Sequence, residues 1–250
     1  MKYLYCLVRG EGECRGFPAG MRGMAIHPIG VAAITALVSD VMPGGANRTV
    51  ENALAQHEVV SHALACFPAV LPCRFGTVVR DDAEVVRLLA ARYPRLDAYL
   101  DTVQGKVEVG IRALLEERDS EESGPVASCV RQGRTPGERY LLGKTSQYRE
   151  ARALEEQATR LTHALQEATS PCVEAIKVER SSLRKGLLLT LCCLVDRGNL
   201  TPFKQGYALW GRRYPRVRLL LTGPWAPYSF VDVHLTEQGE DIAIGNRGTR

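Results

Sequence analysis

The stretch GKVEVGIR, Gly105 to Arg112, decides how the second half of this 250-residue chain is read. Val107, Val109 and Ile111 alternate as in a strand with one apolar side, which turns Glu108 and Arg112 outward. Downstream, Pro136 and Gly137 precede a long helical pattern, about 138–168. Its Leu141, Tyr148, Ala151, Leu154, Ala158, Leu161, Leu165 and Ala168 recur at intervals of three, four or seven. Pro171 ends it. CVEAIKVER (Cys172–Arg180) then alternates as a strand, with Glu174 and Lys177 near opposite faces, and LLLTLCCLV (Leu187–Val195) reads as a buried one. Thr201–Arg213 predicts a helix with Phe203, Tyr207 and Trp210 on one face, Thr201 as its cap and Pro202 in its first turn. RVRLLLT (Arg216–Thr222) is the last strand, with Val217, Leu219 and Leu221 on one face. Counted from Val107, the order is β-α-β-β-α-β, the ferredoxin-like arrangement.

Upstream, KYLYCLVR (Lys2–Arg9) and IGVAAITALV (Ile29–Val38) read as two buried strands, separated by a glycine-rich loop. Thr49 caps a helix to Phe67, with apolar positions at Val50, Ala53, Leu54, Val60, Ala63 and Leu64. AVLPCRFGTVV (Ala69–Val79) is a strand made irregular by Pro72 and Gly76. Asp81 and Asp82 open a helix reaching about Tyr93, and Leu96–Val103 predicts another. EERDSEESGP (Glu116–Pro125) is acidic and lacks apolar residues, as a linker does. The expected fold class is α+β with two domains, the second ferredoxin-like and the first a related α+β sandwich. The expected boundaries are 1–115, a linker 116–135, a second domain 136–231 and a tail 232–250, with strand 106–112 open to sharing. In the tail, Val233, Leu235, Ile242 and Ile244 could dock on the body, between polar ends.

Hydrophobic residues make up 45% of the chain and charged residues 24%, which is the balance of a globular protein. The net charge of +4 is too small to argue for nucleic acid. The densest basic group, Arg212, Arg213, Arg216 and Arg218, reads as a solvated helix end and strand face. YLYCLV is too short for a secretory signal, and no apolar run approaches the roughly 20 residues of a membrane-spanning helix. The eight cysteines form no CxxC pair and mostly sit in apolar runs. The expectation is a reduced cytoplasmic chain without disulfides.

Searches for chemistry return little. GEGECRG (Gly10–Gly16) is one residue too long for a dinucleotide loop, and Phe17-Pro18 follow where a helix should start. HEVVSH (His57–His62) places its histidines five apart, about 140° around a helix, so they cannot chelate one ion. No nucleophile elbow is present, and the paired carboxylates Asp81-Asp82 and Glu155-Glu156 fall on helix surfaces. The strand LLLTLCCLV lacks the aromatic residues of an RNA-binding sheet. No cofactor is expected. The remaining candidates are apolar or aromatic segments for partner contact. The most concentrated is TGPWAPYSF (Thr222–Phe230), which reads as either a core plug packed back over the domain or a contact surface.

Seven segments, in order, resemble the gas vesicle protein F/L family. They are YLYCLV (Tyr3–Val8), GVAAITALVSDV (Gly30–Val41), HEVV (His57–Val60), VLPCRFGTVV (Val70–Val79), LDAYLDTVQGKVEVGIR (Leu96–Arg112), RYLLGK (Arg139–Lys144) and TGPWAPYSFV (Thr222–Val231). Cys6 stands where the family often has glycine, and Cys73 where it often has a larger apolar residue. The resemblance implies two α+β domains and a minor component or assembly factor of gas vesicles, without catalytic residues. The implied partners are the small hydrophobic shell protein and other accessory proteins, with no nucleic acid or membrane, at the gas vesicle in the cytoplasm. The expected contact or signature residues are Arg74, Phe75, Trp225, Tyr228 and Phe230, with strand Val70–Val79 and its loops supplying the contact. The competing expectation is a small-molecule-binding or enzymatic α+β protein.

Overall fold

A computed structural model describes residues 1–10, 16–116, 135–183, 186–215 and 217–231. The expected GEGECRG loop lies partly outside these residues, and the acidic linker and the tail lie almost wholly outside them. Strand β1 (Lys2–Arg9) organises the first sheet, because six of its eight side chains are buried. One edge pairs antiparallel with β3 (Ile34–Asp40) and the other with β4 (Ala69–Pro72) and the short β5 (Val78–Val79). β2 (Ile26–Val31) lies beyond β3, so the order is β2-β3-β1-β4, with β5 also on β1. A register shift between Leu4 and Cys6 re-phases β1, so Leu4 and Leu7 face the same side.

That side is filled by helices α2 (Asp82–Ala91) and α3 (Tyr93–Val103), whose Val85, Leu89, Leu96 and Leu100 join one apolar cluster. Helix α1 (Val50–Cys66) lies against β1 and β4. Its Gln56 bonds Tyr3, the neighbour of Leu4, and successive strand side chains point to opposite faces. The sheet is therefore covered on both faces.

Local chemistry explains most element ends. The Thr49 side chain accepts from Asn52 N (3.2 Å), and Asp81 accepts from Glu84 N (2.8 Å), so both expected caps form. α2 stops at Ala91, and α3 starts at Tyr93 with Pro94 in its first turn. The expected strand Ile29–Val38 is instead a hairpin. Ala32, at φ +50°, makes the tight turn between β2 and β3 with no Gly, Asn or Asp to mark it.

The second sheet holds β6 (Lys106–Glu116), β7 (Val173–Leu183), β8 (Gly186–Asp196) and β9 (Arg218–Trp225), in the order β7-β8-β6-β9. Helices α4 (Pro136–Thr169) and α5 (Leu200–Arg213) pack on each other. They approach so closely that a Cβ on Gly206 would stand 2.6 Å from the Ala168 carbonyl oxygen. The expected α4 stripe is shorter than its pattern: Leu154, Ala158, Leu161 and Leu165 are buried, while Tyr148, Ala151 and Ala168 are exposed. On α5, Phe203 and Trp210 are buried as expected. Thr201 is not its cap: the helix starts at Leu200, and Asn199 in the cap position makes no side-chain capping bond.

The chain forms two compact units. The first comprises Met1–Val109, Leu194–Arg197 and the chain from Gly223 on, and the second Gly110–Cys193 and Gly198–Thr222. Among the described residues Cys6, Cys73, Cys172, Cys192 and Cys193 carry no disulfide, but Cys66, the last residue of α1, is disulfide-bonded. This corrects the expectation of a chain without disulfides; sequence spacing does not show which sulfurs folding brings together.

Candidate interaction site

The Cys73–Thr77 loop follows β1 without being a strand. Cys73 N donates to the Tyr5 carbonyl (2.9 Å) and Leu4 N to the Thr77 carbonyl (3.0 Å). Between these bonds the chain folds into a turn closed by Thr77 N to the Arg74 carbonyl (3.2 Å). Gly76 supplies the positive φ (+88°) at the turn's third position. Val70, Leu71, Pro72, Cys73, Thr77 and Val79 are buried. Most of the strand expected to supply contact is therefore core, and burial pushes the Cys73 thiol up to about 12. The exposed Arg74 and half-buried Phe75 stand out from it, with the Phe75 ring 6.3 Å from that of Tyr3.

The Gly223–Val231 segment is a strap on the first unit. β9 does not end at Thr222, where the sequence places its end, but continues through a cis Gly223–Pro224 bond to Trp225. Trp225 meets His57 of α1 edge-on, with ring centroids 5.1 Å apart. Tyr228 is 41% exposed, but its phenol reaches inward to Gln56, where burial raises its pKa. Ser229 donates from both N and Oγ to the Glu108 carboxylate, each at 2.7 Å. Phe230 and Val231 join the apolar cluster of Leu4 and Leu7. Trp225, Tyr228 and Phe230 thus meet the first unit, not the domain of their own strand. Glu108, expected to face outward, is buried beneath Ser229.

Gln56 ties these pieces together. Its Nε2 donates to the Cys73 carbonyl (2.9 Å), its Oε1 accepts from the Tyr3 hydroxyl, and it bonds Tyr228. The Tyr3 hydroxyl also accepts from Gly76 N (3.0 Å). Burial in this knot moves the Tyr3 phenol above its usual pKa. A buried side-chain amide with filled donors and acceptors fixes one arrangement of helix, loop and strap.

The α1 surface differs from its sequence reading. Val50, Ala53 and Leu54 were expected inside but are exposed, while Asn52 and Gln56 are buried. The buried set Asn52, Gln56, Val59, Val60 and Ala63 has helical spacing of its own. That spacing is the signal that could have found it, once two polar residues were allowed inside. Elsewhere in the first unit, a cavity of about 520 Å³ is lined by Phe17, Pro18, Ile26, Leu37 and Phe67, among others, and Thr35 is its one polar side chain among the described residues. Among the described residues no three His, Cys, Asp or Glu are grouped to hold a metal, and no helix is long and apolar enough to cross a membrane.

A family model described as "Gas vesicle synthesis protein GvpL/GvpF" matches residues 1–232. The chain is 32% identical over 200 residues to gas vesicle protein L of Streptomyces sp., covering 75% of this chain and 73% of that protein. It is 27% identical over 258 residues to gas vesicle protein L1 of Halobacterium salinarum, covering 92% and 89%. The crystal structure of the gas vesicle protein GvpF from Anabaena sp. superposes with a TM-score of 0.76 at 18% identity, over 93% of this chain and 96% of that one. This last likeness is one of fold.

Proposed function

This chain belongs to the GvpL/GvpF family of gas vesicle synthesis proteins, and we propose that it is a minor structural component or assembly factor of gas vesicles, not an enzyme. It works at the gas vesicle in the cytoplasm, with the small hydrophobic shell protein and other accessory proteins as partners. The observation that carries this reading is the family match over residues 1–232, which spans both compact units. A hydrophobic subunit must be kept from aggregating before it joins a wall, and a partner that covers its apolar face or strand edges does so. The first unit supplies that contact, with Arg74, Phe75 and Trp225 as its outward residues and Tyr228 and Phe230 holding the strap in place. The second unit is ferredoxin-like, a reading supported by its element order β6-α4-β7-β8-α5-β9. The two-domain division, with the β6 strand shared, is supported by the start of β6 in one unit and its end in the other.

The test is deletion in the native host followed by electron microscopy. Few or no gas vesicles are expected, and normal vesicles in a clean deletion strain would overturn the reading. The competing small-molecule reading rests on the cavity of about 520 Å³, which is within the usual size of a ligand site. It gains ground only if a small ligand copurifies with the full-length chain and Leu37→Trp displaces it.

A further inference from the structure

Helix α1 is inverted along one flank. Two polar residues, Asn52 and Gln56, lie inside with their bonds made: the Asn52 amide donates to the carbonyls of Asn47 (2.9 Å) and Gly45 (3.2 Å). Val50 (72% exposed) and Leu54 (54%) lie outside. Val50, Leu54 and His57 recur at intervals of four and three, within about 60° of helix arc. Trp225, 38% exposed, rests its ring on His57 and carries this apolar ridge from the helix onto the strap. A surface helix ordinarily turns its polar side to water, so a ridge of this kind has the composition of a contact surface.

Charge narrows the occupant. The ridge is bordered on the helix by Glu51 and Glu58, both exposed and seven residues apart. A hydrogen bond from its own backbone, and a second from the Thr49 side chain, hold the Glu51 carboxyl below its usual range, so it is ionised at neutral pH. α1 contains no lysine or arginine, although the whole chain carries a net charge of +4. The complement of this surface is an apolar helical face bordered by lysine or arginine.

We propose that the α1 ridge of Val50, Leu54 and His57, extended by Trp225, docks an amphipathic helix of the gas vesicle shell protein whose apolar face is flanked by basic residues. This rests on the shell-contact reading above and gives that contact a position and a chemistry.

The test is co-purification of the full-length chain with the major shell protein, at low and high salt. Leu54→Glu is expected to lower retained shell protein about fivefold or more, as loss of a central contact does, and the charge reversal Glu58→Lys, at the border of the ridge, to lower it at low salt and little at high salt. Leu209→Glu, at a residue 63% exposed on α5, should leave retention unchanged. Glu58 is on the surface, so Glu58→Lys should keep the wild-type melting temperature and thereby separate lost binding from lost folding. Retention by Leu54→Glu and Glu58→Lys equal to wild type would overturn the docking site and leave the shell contact standing. Failure of the wild-type chain itself to retain the shell protein would remove both.

Discussion

The two sheets share a strand order and differ in how they are covered. Each, counted from its own first strand, runs second, third, first, fourth. In the first, β1 buries six consecutive side chains, Tyr3 to Val8, because helices lie on both faces. In the second, β8 alternates from Leu187 to Cys193: Leu187, Leu189, Leu191 and Cys193 are buried, while Leu188, Thr190 and Cys192 are half-buried; Leu194 and Val195, which belong to the first unit, are both buried. The sequence LLLTLCCLV hides this, since leucines occupy both sides of the strand at its start. Strand order is thus compatible with two different patterns of apolar residues. What sets the pattern is the number of faces that neighbours cover.

This contrast can be broken by substitution. The largest effect is expected from Leu7→Ala in β1, which should destabilise the protein by about 3 kcal/mol in urea unfolding, as fully buried leucines do. Gln56→Ala should cost about 2 kcal/mol, because it leaves the Cys73 carbonyl and the Tyr3 hydroxyl buried without this partner. Its thermal unfolding midpoint should fall clearly below that of wild type. Leu188→Ala, on the half-covered side of β8, should cost about 1 kcal/mol or less. A Leu188 cost equal to that of Leu7 would show the two sheets to be covered alike.

The smallest signal is spectroscopic. An unfolded tyrosine loses its proton near pH 10, whereas Tyr3 in the folded chain holds its proton to higher pH. Above pH 10 the unfolded state therefore binds fewer protons than the native one, and stability falls as pH rises. Phenolate absorbance should show part of the tyrosine titration delayed until unfolding. Full titration before any loss of structure would contradict the burial of Tyr3.

The sequence was most informative where structure is local. Thr49 and Asp81 marked their helices because a cap is decided within three residues. The alternation of Val107, Val109 and Ile111 placed β6 because a strand's period appears in its own residues. Non-local effects were not legible. Glu108 has the pattern of an outward residue and is buried by Ser229, 121 positions later. Val50 and Leu54 have the hydrophobicity of core residues, yet Gln56 takes an inner position because its partners Cys73 and Tyr3 lie on other elements, while Asn52 is held inside by two carbonyls of the loop just before its helix. The β2–β3 turn was missed because Ala32 adopts a backbone conformation that glycine usually signals. At the candidate site, Trp225, Tyr228 and Phe230 were recognised as a concentration of aromatics. Their seat on α1 and the apolar cluster of the first sheet was not, because it depends on where the chain returns.

That return has a consequence for synthesis. The first unit takes most of its core from residues up to Val109, yet Phe230 and Val231 also belong to its apolar cluster, and Ser229 covers Glu108. On the ribosome, the N-terminal part emerges long before the segment that closes it. Until then, the seat beside Gln56 and Glu108 stays open to water. Translation that stops early leaves a unit with an uncovered carboxylate and an unfilled apolar gap, a state open to proteolysis. The strap thus ties the finished state of the first unit to the synthesis of residues 223–231.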